Sequence, residues 1–152
     1  MNDDAKWMQR AFELAEKAKQ LDEVPVGAVI VYDNKIIGEG FNQPISSNDP
    51  TAHAEIVALR QAGKTQTNYR LPDTSMYVTL EPCAMCAGAI VHARIAKLIY
   101  AANDPKTGAC GSVFNLLQTE ELNHKVDIEK GVMEDECRSL IQNFFKEKRA
   151  KQ

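Results

Sequence analysis

At 152 residues, with 44% hydrophobic and 26% charged side chains, the chain has the length and composition of a globular domain that buries its own core without disulfide staples, not of a fibrous, disordered or membrane protein. A formal net charge of −3 argues against strong indiscriminate binding to nucleic acid, although it leaves room for a local basic patch. No apolar run is long enough to span a bilayer, and Met1-Asn2-Asp3-Asp4 lacks the basic-then-apolar pattern of a signal peptide, so the expectation is one cytoplasmic domain over residues 1–152.

The elements follow in chain order. Asp3 or Asp4 caps a first helix whose Met8, Ala11, Phe12, Ala15 and Ala18 repeat at i, i+3, i+4, which predicts a helix covering a sheet. Val26 to Tyr32 and Lys35 to Phe41 read as a hairpin, with Asn34 tolerating positive φ in the turn. Its glycines, Gly27, Gly38 and Gly40, mark strand ends or places where another backbone or a ligand comes close. Asp49-Pro50 then reads as the start of a helix running to Gly63. Met76 to Leu80 is a buried strand, Pro82 opens a second helix with Ala89, Ile90 and Ala93, and Lys97 to Ala102 returns as a parallel strand. Asn103 to Gly111 is a glycine-, proline- and charge-rich loop that reads as functional, leading into the apolar run Val113 to Leu117. Val126 to Val132 adds an edge strand. A last helix, from about Glu134 to Lys148, turns Cys137, Leu140, Ile141, Phe144 and Phe145 inward and ends in a basic tail.

Two short stretches carry the chemistry: Thr51-Ala52-His53-Ala54-Glu55 and Pro82-Cys83-Ala84-Met85-Cys86. Cys83 and Cys86, at i and i+3, project from one side of a helix, and His53 supplies an imidazole from another; together they suit a tetrahedral zinc with one open position. Thiolates are favoured at a helix N-terminus by its unpaired N–H groups. Glu81, placed as the cap before Pro82, caps poorly by residue type and leaves such donors free to face the sulfurs. Glu55 lies two residues after His53 and points to another side of an ideal helix, which suits a neighbour of the open position and not a ligand. Two thiolates cancel the charge of zinc and acidify a bound water less than neutral histidines do, so a carboxylate base is chemically needed beside it.

Other readings exist for each part. A lone Cys-x-x-Cys also suits a redox pair. A closed structural zinc would need a fourth protein ligand from Cys110, Cys137, His92 or His124, none of which has ligand spacing to the pair. Cys110 and Cys137 otherwise read as ordinary small residues.

The order H-x-E followed by P-C-x-x-C is the signature of the zinc deaminases. More narrowly, the chain resembles the bacterial tRNA-specific adenosine deaminases. The likeness runs from Glu23-Val24-Pro25-Val26-Gly27-Ala28 through Asp49 to Glu55, Thr79-Leu80-Glu81-Pro82-Cys83 and Asp104-Pro105-Lys106-Thr107-Gly108 to Phe144-Phe145, with Asn123-His124 beside them. That resemblance implies a three-layer α/β/α, cytidine deaminase-like fold with a mixed five-stranded sheet, one zinc per subunit, and a homodimer binding the tRNA anticodon stem-loop. It implies hydrolytic deamination of adenosine to inosine at the wobble position by zinc-activated water, with Glu55 as the proton shuttle and His53, Cys83 and Cys86 as metal ligands. Asn42 would bond the flipped base or its sugar, and Asp104, Lys106, Phe145 and Arg149 match positions that touch the RNA. The catalytic motifs alone also allow a free-base or nucleoside deaminase acting on guanine or cytosine. A non-catalytic, zinc-stabilised RNA-binding module is a third reading.

Overall fold

The computed structural model describes residues 3–119 and 121–151; Met1 and Asn2 of the acidic N-terminal stretch lie outside them. Helix α1 (Asp4–Gln20) precedes the hairpin β1 (Gly27–Tyr32) and β2 (Lys35–Phe41), and then come α2 (Ala54–Gln66), β3 (Ser75–Leu80), α3 (Ala84–Ala93), β4 (Lys97–Ala102), β5 (Asp127–Lys130) and α4 (Glu134–Ala150). The five strands form one mixed sheet in the order β2-β1-β3-β4-β5, with β1 antiparallel to both neighbours and β3, β4 and β5 parallel. Among the described residues, no helix is long and apolar enough to cross a membrane.

Side-chain alternation along the strands builds two cores, and with them three layers. Ala28, Ile30, Met76, Val78, Leu98 and Tyr100 point to the face covered by α2 and α3. Val29, Val31, Tyr77, Ile99 and Ala101 point to the other face, against Trp7, Met8, Ala11 and Leu14 of α1 and Cys137 of α4. The hairpin turns on two residues, Asp33 and Asn34, both in the left-handed region with φ of 52° and 60°. The strand glycines serve close approach, as their positions suggested. A Cβ on Gly27 would stand 2.0 Å from the Ala11 carbonyl oxygen of α1, and one on Gly40 would stand 2.2 Å from the Ala54 carbonyl oxygen of α2. Alanines on the facing stripes of both helices, Ala11 and Ala15 or Ala54, Ala58 and Ala62, complete the fit.

Both helix starts differ from the sequence expectation, in the same direction. Asp49 does not cap α2: its Oδ1 accepts bonds from the Thr51 N–H at 2.9 Å and the Thr51 hydroxyl at 2.8 Å, closing a local turn. The helix starts at Ala54, with His53 extended at φ −71°, ψ 154° as its N-cap. Likewise Pro82 does not open α3 and Glu81 does not cap it; Cys83, extended at φ −77°, ψ 178°, is the N-cap. At the far end of α2, Gly63 stays within the helix and Thr67 ends it in the left-handed region. On α4, Cys137 and Phe144 are buried but Phe145 is 42% exposed, so the inward stripe is narrower than its apolar pattern.

Candidate active site

The two N-caps meet on the α2/α3 side of the sheet. The His53 Nδ1 lies 3.6 Å from the Cys83 Sγ and 3.5 Å from the Cys86 Sγ. Zn–N of about 2.0–2.1 Å and Zn–S of about 2.3 Å at a tetrahedral angle give an N···S edge of about 3.6 Å. Both N···S edges therefore already match those of a tetrahedral site around one ion, and the three donor atoms all lie within 4.8 Å of one another. One ring nitrogen facing two sulfurs is poorly explained by hydrogen bonding, since a single N–H serves one acceptor well, and is simply explained by a shared cation. Among the described residues, these three form the group of ligand-type side chains whose donor atoms lie within 4.8 Å of one another.

Electrostatics supports a cation at this point. The Cys83 thiol is pulled down to about 4 by the Cys86 thiol, which donates to it, helped by His53 and the Cys86 backbone N–H. The Cys86 thiol is pushed far up, first by that same contact with Cys83 and then by burial. Two sulfurs this close do not both ionise on their own; a divalent ion supplies the charge that lets both become thiolates. His53 is raised by its bond to Cys83, and because the Cys86 thiol is pushed far up, binding a metal displaces its proton.

Glu55, the second residue of α2, is only 4% exposed, and its carboxyl lies beside the Cys86 sulfur. Burial pushes it up to about 7. It shares with His53 and Cys83 a cleft of about 590 Å³, also lined by Asn42, Asp104 and Phe145. His53 and Glu55 thus flank one space beyond the end of α2 although they leave the helix in different directions.

Asn42, just past β2, accepts the Ala54 N–H on its Oδ1 at 2.8 Å, satisfying an unpaired donor of α2's first turn. That bond leaves its NH₂ group to the cleft. Asp104 uses its carboxylate locally, accepting the N–H groups of Lys106 at 3.1 Å and Thr107 at 3.2 Å and the Thr107 hydroxyl at 2.7 Å. Lys106 and Arg149 line an adjoining groove with Arg138 and Lys146, separated from the cleft by Asp104, Thr107 and Phe145, which border both. Phe145 meets Phe144 edge to face at 5.5 Å.

The proposed fourth ligands of a closed zinc site lie elsewhere. The Cys110 Sγ is set against the Pro82 carbonyl oxygen at 4.0 Å, the His124 Nε2 contacts the Ile95 carbonyl oxygen at 2.7 Å, Cys137 belongs to the opposite core, and His92 lines a groove between α2 and α3. Two buried acids were not anticipated. Glu23 accepts bonds from the Ile45 and Ser46 N–H groups and the Ser46 hydroxyl, tying down the loop before α2, and Glu81 gathers donors from the 104–112 loop. Lys148 pairs with Asp22 at the cleft wall and lies 5.6 Å from the Phe144 ring. A Glu just before Pro-Cys is the one local sign of Glu81's role.

The fold and the His/Cys/Cys cluster with its buried acid define the deaminase class, and a sequence model of the MafB19-like deaminases matches residues 2–149. The "tRNA-specific adenosine deaminase" of Haemophilus influenzae is 52% identical over 96% of this chain and 85% of its own length, and that of Buchnera aphidicola is 46% identical over 97% of each. The chain belongs to the tRNA-specific adenosine deaminase family. A structure from studies of A-to-I editing by tRNA:A34 deaminases at the wobble position superimposes with a TM-score of 0.86 at 42% identity, covering 89% of this chain and 98% of that one. A guanine deaminase from Nitrosomonas europaea, at 22% identity and a TM-score of 0.76 over 92% of this chain and 83% of that one, shares the fold alone.

Proposed function

We propose that this chain is a hydrolytic tRNA adenosine deaminase, converting adenosine to inosine at the wobble position of an anticodon stem-loop, with His53, Cys83 and Cys86 holding one zinc per subunit. The observation that carries the reading is one imidazole nitrogen at zinc-site distance from two sulfurs, with the buried Glu55 beside them and outside that cluster, in a chain whose full-length relatives bear that name. When bound, zinc supplies a Lewis acid that makes water nucleophilic near neutral pH.

The rest is the work of side chains. Glu55 takes a proton from the attacking water, hands it to the adenine N1, and passes the next to the amino group that departs as ammonia. Asn42, its oxygen held by the Ala54 N–H, turns its NH₂ to the base or sugar. Phe145 offers an exposed ring for stacking at the cleft rim. Lys106 and Arg149, with Arg138 and Lys146, give the adjoining groove the positive charge that a phosphate backbone needs, although the chain as a whole is acidic. Asp104 acts through the turn it builds. The reading includes a single domain, a homodimer and a cytoplasmic setting, where tRNA is found.

Free-base deamination shares the catalytic set, but its representative among the solved structures shares the fold alone at 22% identity. A non-catalytic zinc module would need a fourth protein ligand; Cys110, Cys137, His92 and His124 lie elsewhere, and Glu55, although beside Cys86, is outside the group whose donor atoms lie within 4.8 Å of one another. In the zinc-loaded protein, Glu55→Gln should keep the metal content while turnover of stem-loop RNA falls about 10²–10⁴-fold, the usual contribution of a general acid–base group. Full activity in that variant would rule out the role given to Glu55.

A further inference from the structure

Glu81 is the first residue after β3, two residues before Cys83, and is 2% exposed. Its carboxylate takes no part in the metal cluster. Instead its Oε1 accepts the Asp104 N–H at 3.0 Å and the Ser112 hydroxyl, while its Oε2 accepts the N–H groups of Cys110 at 2.9 Å and Ser112 at 3.1 Å. Four donors fill the roughly four acceptor sites that an ionised carboxylate has, and bonds from N–H or O–H to a charged oxygen are the strong ones.

The loop wraps this carboxylate closely. A Cβ on Gly108 would stand 2.4 Å from the Glu81 Cδ and Oε2 and 2.6 Å from the Asp104 carbonyl oxygen, so only glycine fits where the chain passes the acid. The same loop carries Asp104 and Thr107 to the cleft wall and Lys106 to the adjoining groove. One short segment, 81–86, therefore fixes two sulfurs through its far end and the substrate-facing loop through its first residue.

We propose that Glu81 is a positioning residue: it locks the 104–112 loop to the metal-binding segment, so that the loop's cleft-facing residues are already in place when RNA arrives. Preformed contacts of this kind improve binding by lowering the ordering cost on association, so the effect falls on substrate binding and not on the proton transfers of Glu55. The inference rests on the deaminase reading above.

Glu81→Gln keeps the volume, but either orientation of its amide sets an NH₂ group against two loop donors. Ser112→Ala removes a single donor and leaves the carboxylate intact. In zinc-loaded Glu81→Gln we expect wild-type metal content, KM for an anticodon stem-loop raised at least about tenfold, as the loss of one charge-assisted bond implies, and kcat changed by no more than a few-fold. Amide hydrogen exchange at Asp104, Cys110 and Ser112, read without substrate, should accelerate. Ser112→Ala should move both readouts the same way by less. Unchanged KM and exchange would overturn the proposal, and so would loss of zinc or a fall in kcat alone, each of which would place the role of Glu81 at the metal centre. Should the wild-type protein form no inosine, the activity reading falls, while the exchange arm still decides whether Glu81 holds the loop.

Discussion

Glu55 is where one residue's environment bears most on function. In the metal-free protein burial pushes its carboxyl up to about 7, into the range that suits the proton-transfer role proposed for it. The same burial has a stability cost in the metal-free protein. The folded-state value of about 7 lies above the ordinary 4.5, so Glu55's contribution is intact below about 4.5 and is lost as pH rises through about 7. Chemical denaturation of metal-free wild type and Glu55→Gln should therefore show a gap in favour of the variant that opens across this window and reaches about 3 kcal/mol above it, at 1.36 kcal/mol per unit. A gap independent of pH would mean that the folded protein does not hold Glu55 protonated near neutrality. The gap reads Glu55 together with the neighbours it is coupled to, since the Glu55 charge also raises His53 and Cys86.

At the level of elements, the site depends on helices pressed against glycines. The α2 backbone lies on Gly40 so closely that a Cβ there would stand 2.2 Å from the Ala54 carbonyl oxygen and 2.7 Å from the Ala58 N. Gly40→Ala should destabilise the fold by about 1–3 kcal/mol or more, the usual range for overpacking, and should weaken zinc binding, because the turn pushed outward carries His53 and Glu55. Denaturant unfolding and a zinc competition titration check the two effects. The close approach at Gly40, the hairpin, the β3-α3-β4 crossover and the placing of His53 and Cys83 at helix N-termini could all be read from local periodicity and residue type. The helix starts could not be read as well, because Asp49 spends its side chain on Thr51 and Pro82 stays outside α3. Glu23 and Glu81 stayed hidden for a different reason. Their partners lie 22 to 31 residues away, so only the folded chain shows that each carboxylate is a hub. Phe145 shares an apolar stripe with Phe144, and the local pattern cannot tell the buried ring from the exposed one.

Across the whole molecule, the net charge of −3 and the expectation of an anionic substrate are reconciled by placement. Lys106, Arg138, Lys146 and Arg149 come together from one loop and one helix along the groove beside the cleft, although the chain as a whole is acidic. Fold and metal chemistry are common to deaminases of free bases and of RNA, so the cluster alone does not choose the substrate. The relatives at 44–52% identity point to tRNA, and the groove and the exposed Phe145 are the parts proposed to meet it. The direct measurement is incubation of the zinc-loaded protein with tRNA in the presence of free adenosine, guanine and cytosine, followed by mapping of inosine along the tRNA and assay of the free products. The expected result is inosine confined to the wobble position with the free compounds unchanged. Deamination of a free base with the tRNA left intact would contradict the account.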